Sequence, residues 1–327
     1  MIRQNLLFLL RRCFRPALSI ALLAFCGWAE QAAAQEQEVE KLPDPVEEKL
    51  ESINGISKLV MHASYYPSPA LERKQGKNVI PVLLLHGRDG TRGDLAYLAR
   101  FLQAQGHACL VPDLRGHGDS SELIVGAGRV KLDPDKMRKG DFNLMVKDLE
   151  SVKSWFLQKN NEEELNMEML VVLGSDMSSV TAMNFALRDW EVPELISYKN
   201  CKDVKALILL SPERMYEGTR MDVALKHPVV GHQLSVLIIE GKKNAAGMAE
   251  SKKVVNLLER QHSETSGDKK KEDKEIVFYA EDTSLQGTKL VAEGTRGPEI
   301  ISQFIQFRVR NLQDGFSWTK RVKPGEE

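Results

Sequence analysis

The sequence predicts an α/β protein, with a mostly parallel, doubly wound sheet and helices on both faces, spanning residues 57–314. Short runs rich in leucine and β-branched residues alternate with longer stretches of helical period, the pattern of repeated β–α units. The short runs are continuously apolar instead of alternating, as strands covered on both faces must be. There is no internal repeat. No Gly-x-Gly-x-x-Gly follows the first strand, so a dinucleotide-binding sheet has no support.

The elements follow in order. Ser57 to Tyr66 is strand-like, and Asn78 to Leu85 is a strand ending in His86-Gly87. Leu95 to Gln105 has helical spacing. Ala108 to Val111 is a strand leading into Pro112-Asp113, and Phe142 to Gln158 is a helix. Met169 to Leu173 is a strand ending in Gly174, and Ser178 to Arg188 is a helix. Val204 to Leu210 and Leu234 to Glu240 are strands that end in Ser211-Pro212 and Gly241. Ala249 to Arg260 is a helix, Glu275 to Ala280 the last strand, and Pro298 to Asn311 the last amphipathic helix. Residues 35–56 are acidic, carry Pro43 and Pro45, and read as a linker plus a short helix. Gln261 to Lys274 reads as a solvated charged insertion, and residues 315–327 as a polar C-terminal tail.

Residues 1–34 have the layout of a secretory signal peptide. A basic region (Arg3, Arg11, Arg12, Arg15) precedes an apolar run from Ala17 to Ala29, then Ala32-Ala33-Ala34 ahead of Gln35. The run is about 13 residues, short of the roughly 20 that a spanning helix needs. A bacterial exported protein, periplasmic or secreted after cleavage near Ala34, is expected, with no transmembrane segment in the mature chain. Arg11-Arg12 and Cys26 hint at twin-arginine and lipoprotein signals, but Arg15 and Phe25 stand where those signals need other residues. Without the leader, 41 basic residues face 45 acidic ones, which gives no reason to expect nucleic acid as a partner. Cys109 and Cys201 read as free, packed thiols.

Three segments together resemble the α/β-hydrolase superfamily. Val82-Leu83-Leu84-Leu85-His86-Gly87 ends a strand and opens a loop. Val111 to Ser120 contains Asp-x-Arg-Gly-x-Gly-x-Ser, the most specific signal in the chain. Leu173-Gly174-Ser175-Asp176-Met177-Ser178 stands at a strand-to-helix junction, where that family has its Gly-x-Ser-x-Gly nucleophile elbow. The resemblance implies an α/β-hydrolase fold with a mostly parallel sheet of about eight strands. It also implies an oxyanion loop of His86, Gly87 and Arg88, completed by Met177 after the elbow. Only about 22 residues separate Ser211 from Leu234, so no large cap domain is expected.

On that resemblance the triad positions fall on Asp176, Asn244 and Gln286. Aspartate tolerates the positive φ of an elbow better than most residues. A carboxylate attacks alkyl carbons and not acyl ones, and still needs a base to free it from the resulting ester. The family often reads His-Gly-Thr after its last strand, where this chain has Gln286-Gly287-Thr288, and no histidine follows His262. Glutamine cannot take a proton near neutral pH. Asn244 stands in Gly241-Lys242-Lys243-Asn244, where the family has Gly-x-x-Asp, and cannot stabilise an imidazolium by charge. Glu213 is a spare acid without a histidine partner.

The other candidates have plainer roles. His86 is expected to order the oxyanion loop and His117 a surface turn, while Ser178 and Ser179 serve as helix caps. His227 and His232 read as loop residues, not metal ligands. Met215 and Tyr216 are placed to line a pocket. No cofactor or metal is expected. The reading is thus a hydrolase fold with a disabled centre, binding an unknown small molecule or protein. The alternatives are an active hydrolase, ester-type or Asp-nucleophile, with an unorthodox base, and a partner-binding module using the polar flanks.

Overall fold

The computed structural model describes residues 41–71, 74–195, 199–263 and 276–322. The leader, and the charged insertion beyond Ser263, lie outside the described residues. From Leu42 onward the chain forms one compact unit. A ten-stranded sheet runs through it, against an expectation of about eight. The parallel strands are β3 (Pro81–Leu85), β4 (Ala108–Pro112), β7 (Leu170–Ser175), β8 (Val204–Leu210), β11 (Ser235–Gly241) and β12 (Ile276–Glu281). Their order is β12-β11-β8-β7-β3-β4. The chain leaves β3 toward β4 and returns on the other side at β7, so the winding reverses between β3 and β7. That is the place where open α/β sheets form clefts at their strands' C-terminal ends.

The additional strands are antiparallel. β2 (Ser57–Tyr66) pairs with β4 and also with β5 (Glu122–Val125), and β5 pairs with β6 (Gly128–Lys131). β1 (Val46–Asn54) covers β2 along its length. This corrects the short helix expected there. In β1, Leu50 and Ser52 point inward while Lys49, Glu51 and Ile53 are exposed, which is a strand's period of two. Asn54-Gly55, with Gly55 at φ +60°, makes the tight turn into β2. The glutamates hid this alternation, because a solvated strand face carries charge as readily as a helix does.

Alternate residues of the parallel strands feed two cores. Leu83, Leu85, Leu110 and Val172 pack on one face beneath α2 (Lys139–Asn161), α3 (Met177–Glu191) and α6 (Ala245–Ser263). Val82, Leu84, Val111 and Leu173 pack on the other beneath α1 (Ala96–Ala104) and α7 (Gly297–Arg308). Between β8 and β11 lie only a two-stranded ribbon, β9 (Met215–Tyr216) with β10 (Thr219–Arg220), and two short helices, α4 (Asp222–Lys226) and α5 (Pro228–Gln233). Nothing as large as a cap domain intervenes. Cys109 and Cys201 are both free and buried. Among the described residues no helix is long and apolar enough to cross a membrane.

The C-terminal segment is docked as far as it is described. Asn160, Asn161 and Asn166 donate side-chain hydrogen bonds to the carbonyls of Thr319, Arg321 and Phe316. Arg321 is buried and pairs with Asp203 and Glu168, each at 2.6 Å. Residues 316–322 are therefore a strap and not a free polar tail.

Candidate functional site

The strand-to-helix turn expected at residue 176 is built. Asp176 sits between β7 and α3 at φ 48°, ψ −117°, a conformation L residues rarely hold. Its neighbours hold it there. The Asp176 N–H donates to the Leu210 carbonyl of β8 at 2.9 Å, and the Ser175 N–H to Ser178 Oγ at 2.8 Å. That hydroxyl lies 3.0 Å from the Leu85 carbonyl and 2.9 Å from that of Ser175, while Ser179 Oγ donates to Gly174 O at 3.1 Å. Ser178 and Ser179 thus tie the elbow to the strand ends, instead of capping the helix as expected. A methyl group at Gly174 would lie 2.6 Å from the Ser178 carbonyl oxygen, so the approach of helix to strand requires glycine there.

The Asp176 carboxyl is turned into the protein between two glycine loops. A side chain on Gly87, in the oxyanion loop, would overlap Asp176 Oδ2, and so would one on Gly287, in the loop after β12. Gly287 itself holds φ +56°. The carboxyl receives one hydrogen bond, from Ser175 Oγ at 3.0 Å. Its pKa is pushed up to about 6, first by burial and also by the negative charge of Glu240, while the Ser175 bond pulls the other way. Among the described residues, no imidazole or cation is among the groups acting on it.

Glu240, the last residue but one of β11, was not singled out in the sequence. It is fully buried and accepts from Ser211 Oγ at 3.1 Å, the Gly241 N–H at 3.0 Å and Ser251 Oγ at 2.8 Å. Ser211 is itself at positive φ (44°) and accepts from the Gly287 N–H at 3.0 Å. The loop after β12 thus reaches the elbow through a serine and a buried glutamate. The available signal was a glutamate closing an otherwise apolar strand, with Ser211 at the end of the neighbouring one.

The structure brings Asp176 and Gly287 together but not the full set of triad positions. Gln286 is exposed, with extended backbone, and the Asp176 carboxyl's described hydrogen bond is to Ser175 and not to it. Asn244 lies after β11, half-buried, and its buried Nδ2 has no hydrogen-bond partner. A side chain at Gly247 would run into that Nδ2 and into Glu240 Oε1, so Asn244 stands beside Glu240. Glu213 is also near: its pKa is raised, first by burial and then by Asp176, and lowered by Arg88.

His86, His117 and His227 each have a described hydrogen-bonding place. His86 is fully buried; its Nε2 accepts from the Leu114 N–H at 2.9 Å and its Nδ1 faces the Gly87 carbonyl at 2.8 Å. That pairing fixes the neutral tautomer with the proton on Nδ1, and burial depresses its pKa to about 4. It ties the Gly87 turn to the segment after β4. His117 is not on a surface turn: it is buried, its ring centre lies 5.1 Å from that of His86, and its Nδ1 is 2.9 Å from the Arg115 carbonyl. The reason is that the Asp-x-Arg-Gly loop folds inward around its own charges. Asp113 accepts from Arg92 and from the Asp119 N–H, and Arg115 makes a buried bidentate pair with Asp148, both bonds at 2.7 Å. The most specific sequence motif is therefore architectural. His227 Nδ1 accepts from the Val229 N–H, a helix-capping contact. The side chain of His232 lies outside the described residues, and among those described no group of His, Cys, Asp or Glu is placed to hold a metal.

Arg88, His117, Phe142, Met177 and Tyr216 line a small pocket beside the elbow, with the Arg88 guanidinium 5.9 Å from the Tyr216 ring centre. Tyr216 and Met215 both meet the pocket expectation: Met215, though exposed, lines a second pocket with Glu213 and Arg220. His86, Gly87, Arg88 and Met177, the residues expected to form an oxyanion loop, all gather at this end of the sheet.

The same fold is found in solved structures of low sequence identity. The Pyrobaculum calidifontis esterase is 14% identical with TM-score 0.53, covering 91% of this chain and 95% of that one. Thermogutta terrifontis esterase 2 is 13% identical with TM-score 0.53, covering 86% and 98%. The Pyrococcus horikoshii acylaminoacyl peptidase is 12% identical with TM-score 0.54, covering 92% of this chain and 44% of that one. At these identities the likeness concerns the fold alone. The sequence profile of serine aminopeptidase, S33, matches residues 77–266. With more than half of the chain matched, and the strand-to-helix turn and parallel sheet in place, this protein belongs to the serine aminopeptidase S33 family of α/β hydrolases.

Proposed function

We propose that this chain is an exported, non-catalytic member of its family, whose remaining role is to bind a small molecule or protein at the C-terminal ends of its strands. One observation carries the reading. The residue at the nucleophile position is a carboxyl packed between Gly87 and Gly287 beside Glu240, and the residue at the histidine position, Gln286, is exposed. A carboxyl that keeps its proton up to about pH 6 is a poor nucleophile below that pH. Above it, no histidine is among the described groups acting on the carboxylate to direct water onto an ester.

The test is turnover by the purified chain from Gln35 onward, on activated esters, epoxides and haloalkanes. The expected rate equals that of buffer and is unchanged in Asp176→Ala. Turnover that disappears in Asp176→Ala would establish an active Asp-nucleophile hydrolase instead.

Export rests on the basic, apolar and Ala-x-Ala parts of residues 1–34. Expressed with its leader in a bacterium, the chain is expected in the periplasmic or secreted fraction with Gln35 as its first residue, as read by intact mass. A cytoplasmic product retaining Met1 or its neighbours would overturn that part of the reading.

A further inference from the structure

Residues 316–322 are held in the way a bound peptide is held. The strap joins no strand of the sheet. Asn160 and Asn161, which end α2, and Asn166, before β7, donate to the carbonyls of Thr319, Arg321 and Phe316 at 3.0, 2.8 and 2.8 Å. Asn161 Oδ1 also accepts from the Arg321 N–H at 2.8 Å. Such bonds grip main chain whatever its side chains, so specificity falls to the seats between them. There are two. Trp318 Nε1 donates to the Asn160 carbonyl at 3.2 Å, and Lys77 Nζ lies 4.2 Å from the centre of its ring. Arg321 is sunk between Asp203 and Glu168, while Ser317, Thr319 and Lys320 stay exposed.

Two features make this occupant exchangeable. The segment leading into the strap, Arg310–Gly315, has no buried residue, and a side chain on Gly315 would touch nothing. The grip on Arg321 is also incomplete. Asp203 Oδ1 lies 2.6 Å from Arg321 and Oδ2 3.1 Å from Lys153, yet neither oxygen has a well-aligned hydrogen bond, and nor has Arg321 Nε. Proximity of charge without alignment holds a guanidinium less tightly than a bidentate pair, the form that Arg115 makes with Asp148.

We propose that this groove is a peptide-recognition site whose second occupant is residues 316–322 of another copy of the chain. Two copies exchange straps, so that each Arg321 enters the Asp203–Glu168 seat of the other. Every bond of the closed form is remade in the exchanged pair. What opposes the exchange is the entropy of bringing two chains together and the opening of the 310–315 hinge. A second copy is favoured over a foreign partner because the aromatic seat and the arginine seat are filled by Trp318 and Arg321 of this sequence. The groove stands where β7 and β8 begin, at the end of the sheet away from the elbow, so the exchange does not depend on what binds at the strands' C-terminal ends.

The experiment mixes two variants of the chain from Gln35 onward. Arg321→Ala keeps the groove and spoils the strap. Asn161→Ala combined with Glu168→Gln keeps the strap and spoils the groove. Size-exclusion chromatography with light scattering is expected to show a 1:1 heterodimer in the mixture and monomers of each variant alone. A wild-type strap faces its own groove at an effective concentration in the millimolar range, so the mixture is expected to pair at a concentration roughly tenfold or more below that of wild type. Absence of the heterodimer, or the same dimer from either variant alone, would overturn the exchange. If a variant does not fold, wild type decides. ¹⁵N-labelled and unlabelled wild-type chains, held together at about 1 mM and then diluted, are expected to give mixed dimers in native mass spectrometry. Monomers alone would overturn the proposal, and so would mixed dimers undiminished by an excess of free peptide of residues 315–322.

Discussion

At the scale of single residues, the site is defined by what glycine permits and what a carboxyl tolerates. Gly287→Ala places a methyl group in the Asp176 carboxyl and forces alanine into positive φ. The expected cost is about 2–3 kcal/mol in urea unfolding, and an unchanged midpoint would mean the loop does not rest on Asp176. Proton linkage has opposite signs at the two buried groups. The folded pKa of Asp176 is raised to about 6 from 3.8, so its protonated form stabilises the fold at low pH, and that stability is lost as pH rises from 3.8 through 6. The pKa of His86 is depressed to about 4 from 6.5, so its contribution is complete above 6.5 and is lost as pH falls toward 4. Because the two oppose each other, the informative quantity is the difference between wild type and Asp176→Asn. The variant's relative stability is expected to rise by about 2 kcal/mol between pH 4 and pH 7, a figure reduced for the part-exposed carboxyl. A flat difference would contradict the burial argument. Asp176 was legible in the sequence because Gly174, Ser175 and Ser178 frame a known kind of turn. Glu240 was not, because a glutamate at a strand end looks the same whether it faces water or a buried serine.

At the scale of elements, the parallel strands were legible because strands buried on both faces leave unbroken apolar runs. β3, β7, β8 and β11 begin and end close to the residues those runs suggested. The antiparallel additions were less legible. β1 and β6 are exposed on much of their surface, so their sequences carry charge where a pattern search expects apolar residues. Only Asn54-Gly55 and Gly126 marked their turns. The strap at 316–322 was hidden for a different reason: its anchor is a charge. Arg321 is buried between Asp203 and Glu168, while Lys153 holds Asp203 from the other side at 3.1 Å and Lys199 pairs with Glu168. Removing one member of a buried pair leaves its partners uncompensated. Arg321→Ala is expected to cost about 3 kcal/mol and to release the strap to trypsin. A variant with wild-type stability and an intact strap would show that Lys153 and Lys199 suffice.

At the scale of the whole molecule, the proposed function is one in which fold and chemistry have separated. The sheet, its switch point, the strained elbow and the His86-ordered loop persist because each is held by packing and hydrogen bonds that do not involve proton transfer. The positions that would move protons carry a clamped carboxyl, an amide beside Glu240 and an exposed glutamine. That separation explains why the strongest motif, around Asp113 and Arg115, identified the architecture without identifying an activity. The most direct test of the account follows oxygen. An Asp-nucleophile hydrolase working in ¹⁸O-labelled water transfers the label into its own carboxylate when the ester intermediate is cleaved. After incubation with epoxides and haloalkanes, the peptide containing Asp176 is expected to keep its unlabelled mass. A gain of ¹⁸O at Asp176, absent from incubations without substrate, would contradict the claim that this carboxyl no longer acts as a nucleophile.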